Sequence, residues 1–140
     1  MNGRFFLDTN IFVYLFDEDS PLKSQRAAQL IREAVETRRG IVSYQVVQEF
    51  FNVAFRKFAQ PMGIADAEQY LASVFRPLLA LHSSQALYSE TIRLKDRYRL
   101  AWYDALIVAS AIEGESSVLY SEDFQHGQEF GDLQVINPFL

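Results

Sequence analysis

The chain has 140 residues, 49% of them hydrophobic, which predicts one folded domain over residues 1–140. Its formal net charge of −5 at pH 7 argues against a nucleic-acid binder that works by positive charge alone. The sequence has no cysteine, secretory signal or membrane-spanning run, which excludes disulfides and thiolate zinc sites and predicts a cytoplasmic protein without membrane contact.

The first half of the chain predicts two strands and three helices. In chain order they are the strand Arg4–Leu7, a helix over residues 11–15, a helix over 21–38, a strand over 41–43 and a helix over 44–59. The second helix begins at Asp19-Ser20-Pro21, where a capping side chain precedes a proline whose missing N–H has no intrahelical acceptor to lose. Gly40 is the predicted stop of this helix, and residues 61–63 break the next one.

The second half predicts three helices and three strands. In chain order they are a helix over residues 65–75, a strand over 78–81, a helix ending near Tyr98, a helix over 100–112, and strands over 117–120 and 134–136. Pro77 is the predicted end of the first of these helices, and Ser83 or Ser84 caps the second. Strands that alternate with helices imply right-handed crossovers. The sequence therefore predicts an α/β fold of three layers, with a mostly parallel central sheet flanked by helices.

Four acidic residues follow predicted strands or lie on adjoining helices: Asp8, Glu49, Asp104 and Asp123. Asp8 ends the apolar run of the first strand, and open α/β sheets bind ligands at the carboxyl ends of their strands. Two carboxylates ~4 Å apart repel by ~4 kcal/mol at an effective dielectric of ~20, so four in one place require compensation. We interpret the set as a site for a hard divalent cation that acts on a phosphate.

Each acid also has an ordinary structural interpretation. Asp8 fits a helix N-cap, and Asp104 lies on the first turn of an apolar helix, where a buried carboxylate gains from the helix dipole. Glu49 lies at the edge of an apolar helix face and fits a solvated acid. Asp123 has an acidic neighbour, Glu122, and is preferred to it as the site residue.

Polar neighbours of these acids have two interpretations as well. Thr9 and Asn10 either cap the following helix or orient Asp8 and hydrogen-bond a bound water. Ser121, two residues before Asp123, either makes the turn or hydrogen-bonds a metal-bound water.

Several segments of the chain resemble the acidic motifs of PIN-domain ribonucleases: Leu7-Asp8-Thr9-Asn10, Gln48-Glu49-Phe50, Trp102-Tyr103-Asp104-Ala105-Leu106-Ile107 and Leu119-Tyr120-Ser121-Glu122-Asp123-Phe124. The chain is most similar to the VapC-type toxins of bacterial toxin–antitoxin pairs. One branch of these toxins resembles it in the segment Ser121-Glu122-Asp123-Phe124-Gln125-His126-Gly127 and in the ending Val135-Ile136-Asn137-Pro138-Phe139. The resemblance covers nearly the whole chain, with the motifs in the right order.

The resemblance implies an endoribonuclease that hydrolyses RNA phosphodiester bonds with a water activated by Mg²⁺ or Mn²⁺. It also implies a cognate VapB-like antitoxin that holds the enzyme inactive, and a homodimer. The implied catalytic residues and metal ligands are Asp8, Glu49, Asp104 and Asp123, with Thr9, Asn10 and Ser121 in supporting roles.

RNA must reach this acidic site past a rim that contacts phosphates or bases. Arg99 and Trp102 are candidates for that rim, with Tyr103 as a further stacking ring, although ordinary solvated surface is the alternative for each. Phenylalanines on and before the third helix are expected to form an antitoxin groove, and core packing is the alternative for several of them. They are Phe12, Phe16, Phe50, Phe51, Phe55 and Phe58.

Two other functions stay open, a metal-dependent phosphatase and a catalytically inactive PIN-like module that binds protein. Phosphatases of the haloacid dehalogenase type need a second acid two residues after the nucleophile, and here that position is Asn10. The complete acidic quartet argues against the inactive module, and a metal-dependence assay distinguishes that module from an active nuclease. Response-regulator receivers need a late lysine, but none follows Lys95, which excludes that class.

Overall fold

The computed structural model describes residues 3–140, which form a six-stranded sheet flanked by helices. The strands are β1 (Arg4–Leu7), β2 (Gly40–Ser43), β3 (Leu79–Leu81), β4 (Ser116–Tyr120), β5 (Glu129–Phe130) and β6 (Leu133–Ile136). The helices are α1 (Thr9–Leu15), α2 (Pro21–Thr37), α3 (Tyr44–Arg56), α4 (Ile64–Tyr70), α5 (Arg76–Leu78), α6 (Gln85–Tyr98) and α7 (Trp102–Glu113). A π-helical segment, Leu71–Phe75, joins α4 to α5. No helix in residues 3–140 combines the length and hydropathy needed to cross a membrane.

The sheet has the strand order β3-β2-β1-β4-β6-β5. All neighbouring strands are parallel except β5, which runs antiparallel to β6. The chain builds outward from β1 in one direction through β2 and β3, and then starts again on the other side of β1 with β4. The adjacent carboxyl ends of β1 and β4 therefore form a topological switch point, the usual ligand-binding position of an open α/β sheet.

Strand β1 is the buried centre of the sheet. Phe6 and Leu7 have no exposed surface although successive side chains point to opposite faces, so helices cover both faces. The predicted three-layer α/β fold with a mostly parallel sheet is confirmed.

An aromatic cluster joins α1, α3 and the π-helical segment in the core. Phe12, Phe50 and Phe75 are fully buried, with ring centroids 4.9 Å apart for Phe12–Phe75 and 5.3 Å for Phe50–Phe75. The prediction that Phe12 and Phe50 line a partner groove is therefore wrong, because core packing takes both rings. Phe16 and Phe55 remain 38% and 47% exposed.

Glycine is required at position 40 for packing and not for ending a helix. Helix α2 ends instead at Arg38, whose left-handed conformation (φ 61°) forms the C-cap. A Cβ at Gly40 would lie 2.1 Å from the Ala34 Cβ and 2.9 Å from the Phe5 ring. Because Gly40 has no side chain, α2 can lie directly against the start of β2.

The chain stays helical through Pro77, so the prediction that this proline ends a helix is wrong. Pro77 lies in the first turn of α5, where a missing N–H removes no α-helical hydrogen bond. The preceding π-helical segment takes up the change in hydrogen-bond register. Strand β3 consequently begins at Leu79, one residue later than predicted.

We predict that Gly40→Ala lowers the free energy of unfolding by about 1–3 kcal/mol, because the added methyl group must displace Ala34 or Phe5 in a packed core. Denaturant unfolding followed by circular dichroism measures the change. The control is Gly63→Ala, since a Cβ at Gly63 would meet no atom within 4 Å. Equal stability of the two variants would contradict the proposed close approach of α2 to β2.

Candidate active site

The pairing of β1 with β4 brings Asp8 and Ser121 together at the switch point. The Asp8 N–H donates to the Tyr120 carbonyl (3.0 Å), which extends the parallel pairing one residue beyond β1. The Ser121 hydroxyl then donates to Asp8 Oδ2 (2.7 Å). Asp8 is 4% exposed and Ser121 is fully buried, so this contact is shielded from water.

Asp8 also serves as the N-cap of α1, because its Oδ1 accepts a hydrogen bond from the Thr9 N–H (2.7 Å). Burial raises the pKa of the Asp8 carboxyl from 3.8 to about 7, and the hydrogen bonds from Ser121 and Thr9 oppose that rise. The charges of Asp123 and Glu49 raise the pKa further. A nearby cation would favour the ionised form of this carboxyl.

Glu49 is half-buried and hydrogen-bonded at both carboxylate oxygens, so it is not the solvated acid of the alternative interpretation. The Thr9 hydroxyl donates to Oε1 (2.6 Å), and the Gln45 amide donates to Oε2 (3.1 Å). The same Gln45 nitrogen lies 3.2 Å from the Tyr103 carbonyl. These contacts link α1, α3 and the start of α7.

Asp104 lies on the first turn of α7 and is half-buried, whereas the sequence predicted a buried residue. The reason is that α7 begins only at Trp102 and its buried stretch starts at Ala105, after the acid. Burial raises the pKa of the Asp104 carboxyl, and the charge of Glu49 adds to the rise.

Asp123 is exposed, unlike the other three acids, but it is linked to them electrostatically. Partial burial raises the pKa of its carboxyl, and the negative charges of Asp104 and Glu122 raise it further. Its N–H donates to the Ser121 hydroxyl (3.0 Å), so Ser121 joins Asp123 to Asp8. The charges of Glu49 and Asp123 act on Asp8, and that of Glu49 acts on Asp104, so the four acids are linked at one end of the sheet through Glu49 and Asp123.

Asn10 supplies a further polar group beside Asp123. Its amide faces that carboxyl and opposes the rise in its pKa. The Asn10 nitrogen and oxygen are nevertheless buried without a hydrogen-bond partner of normal geometry. Buried polar atoms without partners are rare in proteins, so these are available to a ligand.

Within residues 3–140, no three acidic or histidine side chains converge closely enough to form a ready-made metal cage. That spacing agrees with the mutual repulsion of carboxylates. The donor set still fits a hard divalent cation, because it consists of oxygen atoms and carries excess negative charge. The unpartnered Asn10 amide adds one more oxygen that a cation or its water could contact.

The predicted RNA-contact residues lie on the connection between α6 and α7. Arg99 is exposed and forms the left-handed C-cap of α6 (φ 55°). Trp102 is half-buried, with its ring 6.2 Å from that of Tyr88. Tyr103 lies directly beside Asp104 and is 63% exposed, so its ring is more accessible than that of Trp102.

Two features of this region were not predicted. Gln45 holds Glu49, and its position four residues earlier on the same helix face could have indicated the contact. Glu122 forms an ion pair with Lys23 (2.7 Å) and accepts a hydrogen bond from the Tyr14 hydroxyl. No local sequence signal joins Glu122 to Lys23 and Tyr14, which lie 99 and 108 positions earlier in the chain.

A cavity of about 540 Å³ lies at the opposite end of the sheet, beside the first residues of β4 and β6. Its lining includes Ser116, Phe130 and Leu133 and none of the four acids. The candidate active site is therefore distinguished by its charged groups and not by the size of its cavity.

Comparisons with known proteins agree with this architecture. A family model described as PIN domain matches residues 5–128. No curated protein is significantly similar to the chain.

Solved structures with the same fold have low sequence identity to the chain. A toxin–antitoxin complex from Klebsiella pneumoniae has a TM-score of 0.65 at 20% identity, covering 95% of this chain and 96% of the other. Mycobacterium tuberculosis VapC20, described as a Sarcin-Ricin loop cleaving toxin, has a TM-score of 0.62 at 18% identity, covering 85% and 89%. FitAcB from Neisseria gonorrhoeae has a TM-score of 0.60 at 16% identity, covering 96% and 98%.

The family resemblance noted in the acidic motifs is thus confirmed over most of the chain, and this protein belongs to the PIN domain family.

Proposed function

We propose that this protein is a metal-dependent endoribonuclease that acts as the toxin of a toxin–antitoxin pair. The observation that carries the proposal is a set of hydrogen bonds that joins the four acid-bearing elements at the switch point. Ser121 joins Asp8 to the Asp123 backbone, and Thr9 joins the turn after Asp8 to Glu49. Gln45 joins Glu49 to the first turn of the helix that carries Asp104. The solved structures with this fold support the toxin role, because they include a toxin–antitoxin complex and VapC20, described as a Sarcin-Ricin loop cleaving toxin.

The four acids are the candidate ligands for Mg²⁺ or Mn²⁺. Asp8 and Asp104 are the candidate direct ligands, while Glu49 and Asp123 complete the set or hold coordinated waters. When bound, the cation would supply a water of lowered pKa and positive charge to stabilise the transition state at the phosphate.

The chain's own residues orient these carboxylates. The Ser121 hydroxyl fixes Asp8 Oδ2, while Thr9 and Gln45 each fix one oxygen of Glu49. With a pKa of about 7, Asp8 carries a proton on part of the molecules at neutral pH, and this proton must leave before the carboxylate binds a cation. The hydrogen bonds from Ser121 and Thr9 favour that ionised form.

RNA approaches, in this proposal, over the connection between α6 and α7. Exposed Arg99 would contact the phosphate backbone. The Tyr103 ring would stack on a base more readily than that of Trp102, because Trp102 already packs near Tyr88.

The proposed antitoxin site is an apolar groove between α1, α2 and the segment that follows α4. Two adjoining cavities of about 430 and 300 Å³ share Ser73 and Val74 in their lining. Apolar side chains of the groove include Leu15, Phe16, Ile31, Val35, Phe58, Met62 and Tyr70. A groove of this kind fits the apolar face of an amphipathic helix from a VapB-like antitoxin. The homodimer implied by the family resemblance stays a prediction.

Neither alternative function accounts for the site as well. A phosphatase of the haloacid dehalogenase type would need a second acid two residues after Asp8, and this chain has Asn10 there. An inactive binding module would not need four carboxylates whose charges oppose one another.

We predict that the antitoxin-free protein cleaves RNA only with Mg²⁺ or Mn²⁺, and that Asp104→Asn lowers the rate at least ~100-fold through loss of a ligand. Cleavage of a mixed RNA substrate, with each metal and with EDTA, measures this. The control is Asp96→Asn, because Asp96 is an exposed acid on α6. Folded protein that cleaves no RNA with either metal would contradict the proposal and favour a binding module.

We further predict that Asp8→Asn stabilises the metal-free protein, increasingly so as the pH rises from about 4 to about 7. In this window the folded wild type binds more protons at Asp8 than the unfolded chain, so its stability falls as the pH rises. The upper bound of the difference is about 4 kcal/mol, at ~1.4 kcal/mol for each pH unit between the two pKa values.

Thermal unfolding at several pH values, with EDTA or Mn²⁺, measures both effects. Mn²⁺ should stabilise the wild type more at pH 8 than at pH 5, because the cation binds the ionised carboxyl. If the melting temperatures of the wild type and of Asp8→Asn respond identically to pH and to Mn²⁺, Asp8 is not a metal ligand.

A further inference from the structure

We propose that Tyr14, Lys23 and Glu122 form a positioning clamp that holds the segment after β4 and thereby directs Asp123 toward Asp8. This inference rests on the proposed function, since Asp8 and Asp123 are its candidate metal ligands. The three residues belong to α1, to α2 and to the segment that follows β4, so the clamp joins three separate parts of the fold.

The clamp is a closed triangle of polar contacts. Lys23 Nζ lies 2.7 Å from Glu122 Oε2 and 3.1 Å from the Tyr14 hydroxyl oxygen. The Tyr14 hydroxyl in turn donates to Glu122 Oε1. Both oxygens of Glu122 are therefore held, and its side chain cannot turn without breaking contacts to two helices.

Apolar packing supports the triangle. The Tyr14 ring lies edge-on to the Phe139 ring, with centroids 4.9 Å apart. Lys23 Nζ lies 4.5 Å from the centre of the Tyr14 ring and 5.6 Å from that of Phe139. These rings shield one side of the ion pair from water. The Lys23 side chain remains 36% exposed and the Glu122 side chain 29%.

The position of Glu122 in the chain explains why its clamp would orient Asp123. Glu122 lies between Ser121, which donates to Asp8 Oδ2, and Asp123, whose N–H donates to the Ser121 hydroxyl. The segment is thus fixed on its inner side through Ser121 and on its outer side through Glu122. With both attachments made, the backbone has little freedom to rotate at Asp123.

Orientation of Asp123, and not stability of the fold, is the expected contribution of the clamp. A partly exposed ion pair adds little to stability, so its loss should change the melting temperature by about 2 °C or less. Groups that orient metal ligands affect metal affinity far more, typically by ~10–100-fold.

The test compares Glu122→Ala with the wild type in three measurements on the full chain. We expect Mn²⁺ affinity, measured by titration calorimetry without RNA, to fall ~10–100-fold. Amide hydrogen exchange of Asp123, followed by NMR in metal-free protein, should become faster because its N–H loses a fixed acceptor geometry. The melting temperature should stay within about 2 °C of that of the wild type.

Glu90→Ala is the matched control, because Glu90 forms an exposed ion pair with Arg93 (2.9 Å) on α6 that is not part of the site. It should leave Mn²⁺ affinity and Asp123 exchange unchanged. Glu122→Gln should recover part of the affinity, since its amide oxygen can still accept a hydrogen bond from Lys23 while its NH2 group donates to the Tyr14 hydroxyl oxygen. If Glu122→Ala does not fold, Tyr14→Phe removes two of the three contacts with little change of shape, leaves the Lys23–Glu122 ion pair, and should lower the affinity by a smaller factor.

Unchanged Mn²⁺ affinity in Glu122→Ala would overturn the positioning role, and so would unchanged exchange at Asp123. The proposed function fails separately if the wild type does not bind Mn²⁺ or if Asp8→Asn binds it equally well. In that case the exchange measurement still decides whether the clamp fixes Asp123.

Discussion

The burial of the Asp8 carboxyl where β1 meets β4 is the constraint on which the site depends. Parallel pairing places Asp8 beside Ser121, and the surrounding core raises the pKa of the carboxyl to about 7. A buried acid of this kind needs compensation from hydrogen bonds or from a positive charge. Ser121 and Thr9 supply the hydrogen bonds. The acids of α3, α7 and the segment after β4 add negative charge, which makes a cation the natural counterpart of the group.

Most of the fold could be predicted from the sequence because the signals were local. Apolar runs and helix caps predicted the order of most strands and helices and placed most of their ends within a few residues. The errors arose where packing overrides a local rule. Gly40 permits close approach to Ala34 and does not end a helix, and Pro77 continues the helical path after a π-helical segment. Strand β5 was missed because its two residues are too short to show a periodicity.

The four acids of the candidate site were proposed from the sequence, because Asp8 and Asp123 follow strands and Glu49 and Asp104 lie on adjoining helices. The groups that orient them were harder to predict. Gln45 reaches both Glu49 and the backbone of α7, and Glu122 reaches Lys23 across 99 positions of the chain. Such contacts depend on how elements pack in three dimensions.

We propose that the four carboxylates act together as one site for a divalent cation. Anomalous diffraction from crystals grown with Mn²⁺ tests it most directly, because the metal is located without reference to activity. We expect an anomalous peak at the carboxyl ends of β1 and β4, from a Mn²⁺ ion bound by carboxylate oxygens of Asp8 and Asp104. A Mn²⁺ peak found only elsewhere, for example near Glu115 and Asp132 at the opposite end of the sheet, would contradict it.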